Sequence, residues 1–439
     1  MKGLNIFLYE WKHLTRSPFK VVALALFVLA GLYGLHNGAN LYYKQIAEIE
    51  KIGGDIEDER QKYILYYDEG KPGPENRPWI DISTPFWAIW YNGTLHFKTP
   101  SPALVYSMGQ AEQYGFYKRV TFGASPYDSD MTKEIANPER LQIGTLDFSF
   151  ALLFMLPLLL LILLYNLKGL EAEQGFLPLI EVQAASKNTW LLSRVAFYAG
   201  LLLLVLIGLL LYGAMLTEIF THAKAAFGQI LLHSFLYLMF WSVIYYFILR
   251  NGKYIMGNTL KMVGIWLVIA FIIPASVHQW ISIEKPANLM TDLIDAKREK
   301  RQQLYDLPDS VFQAKLHAMF PEVVDSPVAK DSSKRSAAYN KSSSALVNEL
   351  MKKSIDPIEA YNREKNKLVR TSYWFNPLTY FQNRFNTITQ THFDDYQNYR
   401  DEIQDLVDRQ IRIMVLDTWN DVEVDKKKYL EYHGKLNEL

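Results

Sequence analysis

No cysteine occurs among the 439 residues, so whatever folds here is held by packing rather than by disulfides, and no thiol is available for redox or nucleophilic chemistry. Net charge is absent as well: 46 Lys and Arg balance 46 Asp and Glu, and no basic stripe of the kind that nucleic-acid binding requires is present. The sequence has no G-x-x-x-x-G-K-[ST] phosphate loop, no H-E-x-x-H and no G-x-S-x-G, which removes the usual signatures of a nucleotide hydrolase, a zinc peptidase and an α/β-hydrolase. No repeat of fixed period is visible, and the chain is not expected to be an enzyme.

The most informative absence is local. Five stretches of 20 or more residues carry no Asp, Glu, Lys or Arg: 21–43, 148–167, 195–217, 225–249 and 262–283. Roughly 20 apolar residues at 1.5 Å per residue cover the ~30 Å hydrocarbon core of a bilayer, and a helix satisfies every backbone group internally. All five read as membrane spans. The first exceeds the ~7–15 residues of a signal-peptide core and is read as retained. His36, His233 and His278 are the only histidines in these runs, and none has a ligand partner three or four residues away. Glu218 and His222 suit a local pair at a helix end.

Orientation follows from Lys and Arg in the short flanking segments. Residues 1–20, 168–194 and 250–261 together carry ten, whereas the turn 218–224 carries only Lys224. The N-terminus is therefore expected on the cytoplasmic side, with 44–147 and 284–439 outside. In the first outer segment a polar helix over Lys44–Tyr67, interrupted at Gly53 and Gly54, precedes the Pro-rich strip 71–78, a loop or polyproline spacer. The aromatics Phe86, Trp87, Trp90 and Tyr91 are read as a small core in preference to a membrane-interface belt or a ligand site. The second outer segment has helical patterns at Leu289–Leu307 and Pro357–Val369, separated by a Ser- and Lys-rich stretch, 331–344, read as a flexible linker. The fold class expected is an all-α membrane protein, a polytopic helical bundle with a mainly helical extracytoplasmic domain of all-α or α+β type.

Two segments on the expected cytoplasmic side carry further signals. Leu4, Phe7, Leu8, Trp11 and Leu14 share one helical face within residues 1–20, the pattern of a helix lying in the membrane interface. Residues 168–194 hold a short acidic turn around Glu171 and Glu173, then Gly175, Leu177, Ile180 and Glu181, a Ser-Lys turn and Arg194 at the start of the next span. The E-x-x-x-G-x-L-x-x-L spacing of that segment resembles the type-2 family of ABC transporter permeases. The stretch Tyr9-Glu10-Trp11 through Arg16-Ser17-Pro18-Phe19 is similar to that family's elbow helix. Pro102–Gln110, the Tyr117-Lys-Arg-Val stretch and Asn376–Gln382 resemble a branch with large extracytoplasmic insertions after the first and fifth spans.

The resemblance implies a permease subunit of an ATP-driven export or envelope-remodelling complex in a bacterial plasma membrane. ATP and Mg would be held by a separate ATPase subunit on the cytoplasmic face, with no cofactor in this chain. A second permease chain, identical or different, would complete the assembly. The coupling element would comprise Glu171, Glu173, Gly175, Leu177, Ile180 and Glu181, and the elbow, with Glu10, Trp11 and Arg16, would make a second contact. Pro157 and Pro274 are candidate kinks. The family has six spans where this sequence shows five, so a sixth is expected beyond Leu439. The absence of charge within the spans suits apolar or amphipathic cargo better than a small ion. Membrane lipid is an expected partner and nucleic acid is not. The alternative is a membrane-anchored binding or assembly module that transports nothing.

Overall fold

The computed structural model describes residues 3–123, 146–183, 187–252, 254–284 and 308–437. Helix α1 (Gly3–Thr15) is followed at once by α2 (Pro18–Asp68). The remaining long apolar helices are α4 (Phe148–Leu164), α7 (Lys187–Leu216), α8 (Lys224–Asn251) and α9 (Ile255–Glu284). Among the described residues four helices, α2, α7, α8 and α9, are long and apolar enough to cross a membrane, the make-up of a membrane protein. The run at 148–167 forms the shorter α4, and most of its side chains, Leu152, Leu156, Leu160, Leu163 and Leu164 among them, are buried by the other helices.

Both candidate kinks take one form. A π-helical turn, Ala151–Met155 in α4 and Val268–Ile272 in α9, comes just before Pro157 and Pro274. A proline inside a helix lacks an N–H and presses on the carbonyl four residues earlier, and a wider turn relieves that contact. For Pro157 the carbonyl left over is that of Leu153, which accepts from the Tyr237 hydroxyl at 2.5 Å. The Tyr245 hydroxyl donates to the carbonyl of Pro157 itself at 3.2 Å.

Helix α2 corrects the first expectation. Its 51 residues run without a break from the apolar stretch through Gly53 and Gly54, where an added Cβ would meet nothing within 4 Å. At 1.5 Å per residue it is about 76 Å long, more than twice the hydrocarbon thickness. The far half is a stalk whose Tyr63, Ile64, Tyr66 and Tyr67 enter the core of a separate helical domain. That domain contains α3 (Pro85–Trp90), an antiparallel pair, β1 (Leu95–Phe97) with β2 (Tyr117–Arg119), in the register Leu95 to Arg119, and α10 (Asp309–Met319). It continues with α11 (Ser332–Thr371), α13 (Phe393–Trp419) and α14 (Lys426–Asn437).

Helix α11 overturns the reading of 331–344 as a flexible linker. Its 40 residues begin at an Asp331 cap that accepts the Ser333 N–H at 2.9 Å. Ala338, Ser342, Ala345 and Leu346 form a buried stripe at helical spacing, and the small Ser342 accepts from the Trp419 indole at 2.9 Å. Pro357, expected to begin a separate helix, lies inside this one. The strip 71–78 is irregular as expected, and Phe86, Trp87, Trp90 and Tyr91 pack on the domain core. The helix expected at Leu289–Leu307 lies outside the described residues.

The segment 284–439, expected outside the membrane, also reaches the apolar helices. Helix α12 (Pro377–Ile388) returns to the bundle, where Leu378, Phe381, Phe385 and Ile388 join the core of the apolar helices. Beside it the 3-10 turn Pro102–Tyr106 is wedged between α2 and α7, with the Tyr106 hydroxyl on the Leu210 carbonyl at 2.6 Å. The segments Pro102–Gln110 and Asn376–Gln382 thus lie on adjoining parts of one junction: Ser107 Oγ donates to Asn386 Oδ1 at 2.6 Å, and the Gln110 N–H to the Thr391 carbonyl at 2.9 Å.

Candidate functional site

At the opposite end of the bundle from the helical domain, charged side chains are buried. Glu10, on α1, is fully buried, and Arg194, on the second turn of α7, is 3 % exposed. The Arg194 Nε donates to Glu10 Oε1, and the Tyr198 hydroxyl donates to Glu10 Oε2 at 2.9 Å. Arg194 Nη1 donates to Glu171 Oε1 and to the Leu167 carbonyl. Its guanidinium lies 4.9 Å from the centre of the Trp190 ring. One arginine therefore joins the helix before the first apolar run to the turn after the second. A planar guanidinium with several fixed donors can bridge two carboxylates in this way, whereas an ammonium is a single point of charge.

Two lysines complete the cluster by closing helix ends. The last carbonyls of a helix lack internal partners and carry the negative end of its dipole. Lys20 Nζ donates to the Leu163 carbonyl at 2.8 Å and to Asn166 Oδ1 at 3.0 Å, at the end of α4. Lys168 Nζ reaches the carbonyls of Leu249, Arg250 and Gly252 at 3.2, 2.9 and 2.7 Å, at the end of α8. Lys20, Lys168 and Arg194, which the sequence offered only as flanking basic residues, thus each cap a particular helix or turn.

No family model matches the chain, and no curated protein and no solved structure does.

The segment between α4 and α7 protrudes from this cluster as α5 (Gly169–Glu173), a turn at Gly175 and α6 (Leu177–Gln183). Gly175 has φ of +77° and open space around it; the left-handed backbone accounts for a glycine there. Of the residues singled out from sequence, Glu10 and Glu171 are drawn together through Arg194. Leu177 and Ile180 pack inward on the bundle core, while Glu173 is exposed. Trp11 is 52 % exposed and Arg16 is also exposed, both outside the cluster. Glu181 belongs to α6, and its side chain lies outside the described residues.

Sequence reasoning missed the outward face of this segment. Phe176, just before α6, and Leu179 and Val182, on it, are 56, 57 and 86 % exposed, three apolar side chains at a spacing of three. The signal was the run F-L-P-L-I-E-V, apolar on two faces where one would suffice to anchor it. Among the described residues no group of three or more His, Asp or Glu is placed to hold a metal ion.

Proposed function

We propose that this chain is the membrane subunit of an ATP-driven transporter or envelope-remodelling machine, and that α5 and α6 dock a separate ATPase. The observation that carries this reading is the Arg194 bridge: it links the α1 carboxylate of Glu10 to the Glu171 carboxylate at the root of the protruding segment. A push on Phe176, Leu179 and Val182 would pass through Glu171 and Arg194 into α7 and α1 together. An element that only anchors a domain has no need of a bridge between two surface helices and an exposed apolar ridge. On this reading the cluster lies in the cytoplasm, the helical domain outside, and two permease chains face two ATPase subunits. The stalk and α12 would then carry movement of the bundle to the outer domain.

The test is purification of the intact chain from its native membrane, with ATPase activity measured in the eluate, beside a Leu179→Asp, Val182→Asp variant. Both positions are exposed, so the variant is expected to keep the thermal stability of the wild type and lose the bound ATPase. An eluate from folded wild type without ATPase activity would sink the proposal and leave the membrane-anchored module as the reading to pursue.

A further inference from the structure

We propose that the turn between α11 and α12 is a lipid anchor, with Trp374 and Phe375 inserted into the bilayer beside α12. The proposal rests on the reading of α2, α7, α8 and α9 as membrane spans and is independent of any ATPase.

Trp374 is 86 % exposed, the most exposed tryptophan among the described residues; Phe375 and Tyr380 are 37 and 38 % exposed. A fully solvated indole is costly in water and favourable at a membrane interface, where the ring meets apolar chains and its N–H meets water or headgroups. The aromatic group is ordered from within: the Tyr373 hydroxyl accepts from Asn383 Nδ2 at 2.8 Å, and the Tyr373 and Tyr380 rings meet edge to face at 5.6 Å. Trp374 and Phe375 stand edge to face at 4.9 Å.

The position of this group along the bundle fixes its surroundings. Phe381, on the next turn, packs on Tyr237 at a ring separation of 4.9 Å, and Arg384 Nε meets His233 Nε2 at 3.4 Å. His233 and Tyr237 lie about 14 and 20 Å along α8 from its domain-side end at Lys224, by the 1.5 Å helical rise. Helix α12 also touches the π-helical turns of α4 and α9, and α11 runs beside the domain-side part of α9. Helix α12, which follows the aromatic turn, thus adjoins α9, where Phe271, Ile272, Trp280 and Ile283 are exposed. At about 14–20 Å from the domain-side end of α8, the contacts of Phe381 and Arg384 fall within the ~30 Å hydrocarbon layer, so an amphipathic helix held there by its apolar face turns its aromatic entry toward lipid rather than water.

Trp79 supplies the contrast. It is 64 % exposed, but its neighbours Ile80 and Ile82 belong to the domain core. The Tyr67 hydroxyl bonds the Ile82 carbonyl at 2.6 Å, and Tyr67 is about 44 Å along α2 from Gly38, which abuts the junction turn. Trp79 is expected in water.

The natural absence of cysteine makes the test direct. Trp374→Cys, Phe375→Cys and Trp79→Cys variants of the full chain are each labelled with a nitroxide and reconstituted in phospholipid nanodiscs. Spin relaxation is then measured with oxygen, which concentrates in lipid, and with a neutral nickel chelate, which stays in water. The expected result is an oxygen-to-chelate ratio several-fold higher at 374 and 375 than at 79. A ratio at 374 and 375 equal to that at 79 would overturn the anchor. Shielding from both reagents would also overturn it, because another protein surface, such as a second copy, would then cover the turn. The two adjacent positions guard against loss of fold in one variant, and elution as a single species checks each.

Discussion

The two ends of the bundle are fastened by different chemistry. The end bearing α1, α5 and α6 is joined through buried ions: Glu10, Glu171 and Arg194, with Lys20 and Lys168 on helix carbonyls. The domain end is joined mainly by close backbone packing and neutral hydrogen bonds. A Cβ on Gly34 would lie 2.5 Å from the backbone at Asp147 and Phe148, and one on Gly38 2.6 Å from the Val105 carbonyl oxygen. Small residues at such crossings let helices approach closely in the absence of a hydrophobic force between them. The left-handed Gly109, φ +45°, abuts Thr391 in the same junction. Even the buried Asp147 is absorbed locally, accepting the N–H groups of Met108 and Phe150 at 3.0 and 2.7 Å. Ionic fastening concentrates its strength in one residue, while the packed junction spreads it over many.

The strongest way to break this contrast is Arg194→Ala. Two carboxylates would be left buried without their cation, and breaking a buried ion pair in this way costs about 3–5 kcal/mol. A large drop in the melting temperature of the purified protein is expected. Adding Glu10→Gln and Glu171→Gln to the same chain is expected to recover much of it, since the unpaired charges are removed. An Arg194→Ala protein as stable as wild type would show that the cluster fastens nothing.

At the other end, Gly38→Ala forces a methyl group against the Val105 backbone and is expected to cost about 1–3 kcal/mol. Gly53→Ala, on the same helix in open space, is expected to stabilise by about 0.5–1 kcal/mol through helix propensity. Denaturation of the two variants in parallel tests whether position, rather than residue type, decides. Lys168→Met removes the donor to three carbonyls at the end of α8 and is expected to cost about 1–2 kcal/mol. Its readout is faster hydrogen exchange confined to the last turn of α8.

The smallest effect is pH-dependent and belongs to the domain side. His392 caps α13, its Nδ1 accepting the Asp394 N–H at 3.2 Å. Burial holds its imidazole below the ordinary 6.5, against the pull of Asp394 and Asp395. A depressed folded pKa means that the contribution of the group is complete above about pH 6.5 and is lost as the pH falls through the folded value. Asp395, raised by burial, acts in the opposite sense, its contribution being lost as the pH rises through its folded value. His392→Asn keeps a capping side chain without the titration. The difference in melting temperature between wild type and this variant is therefore expected to shift in favour of the variant as the pH falls below 6.5.

The membrane-length helices, the irregular 71–78 strip and the protruding segment at 169–183 were legible in the sequence because each rests on local composition. Glu10 and Glu171 were named from the resemblance, whereas Arg194, which unites them, was marked only as the basic residue entering the next span. Arg194 lies 23 residues from Glu171 and 184 from Glu10, and no local pattern reports such a meeting. The α11 helix was hidden for a related reason: Ser and Lys dominate its first turns, and a stripe built from Ala338, Ser342 and Ala345 looks apolar only beside Trp419. Among the aromatics, Phe86 and Trp90, which stand out in the sequence, pack on the domain core, whereas Trp374 stands exposed.

The sequence by itself determined where the apolar helices lie, because the absence of charge over some twenty residues is a property of the chain alone and sets the solvent each helix can tolerate. Only the tertiary structure decided that α2 continues into the domain as a stalk, that α12 returns to the bundle, and that one arginine bridges two acids. Those outcomes depend on which faces meet across long sequence separations, where shape and unsatisfied polar groups, rather than composition, choose the partner.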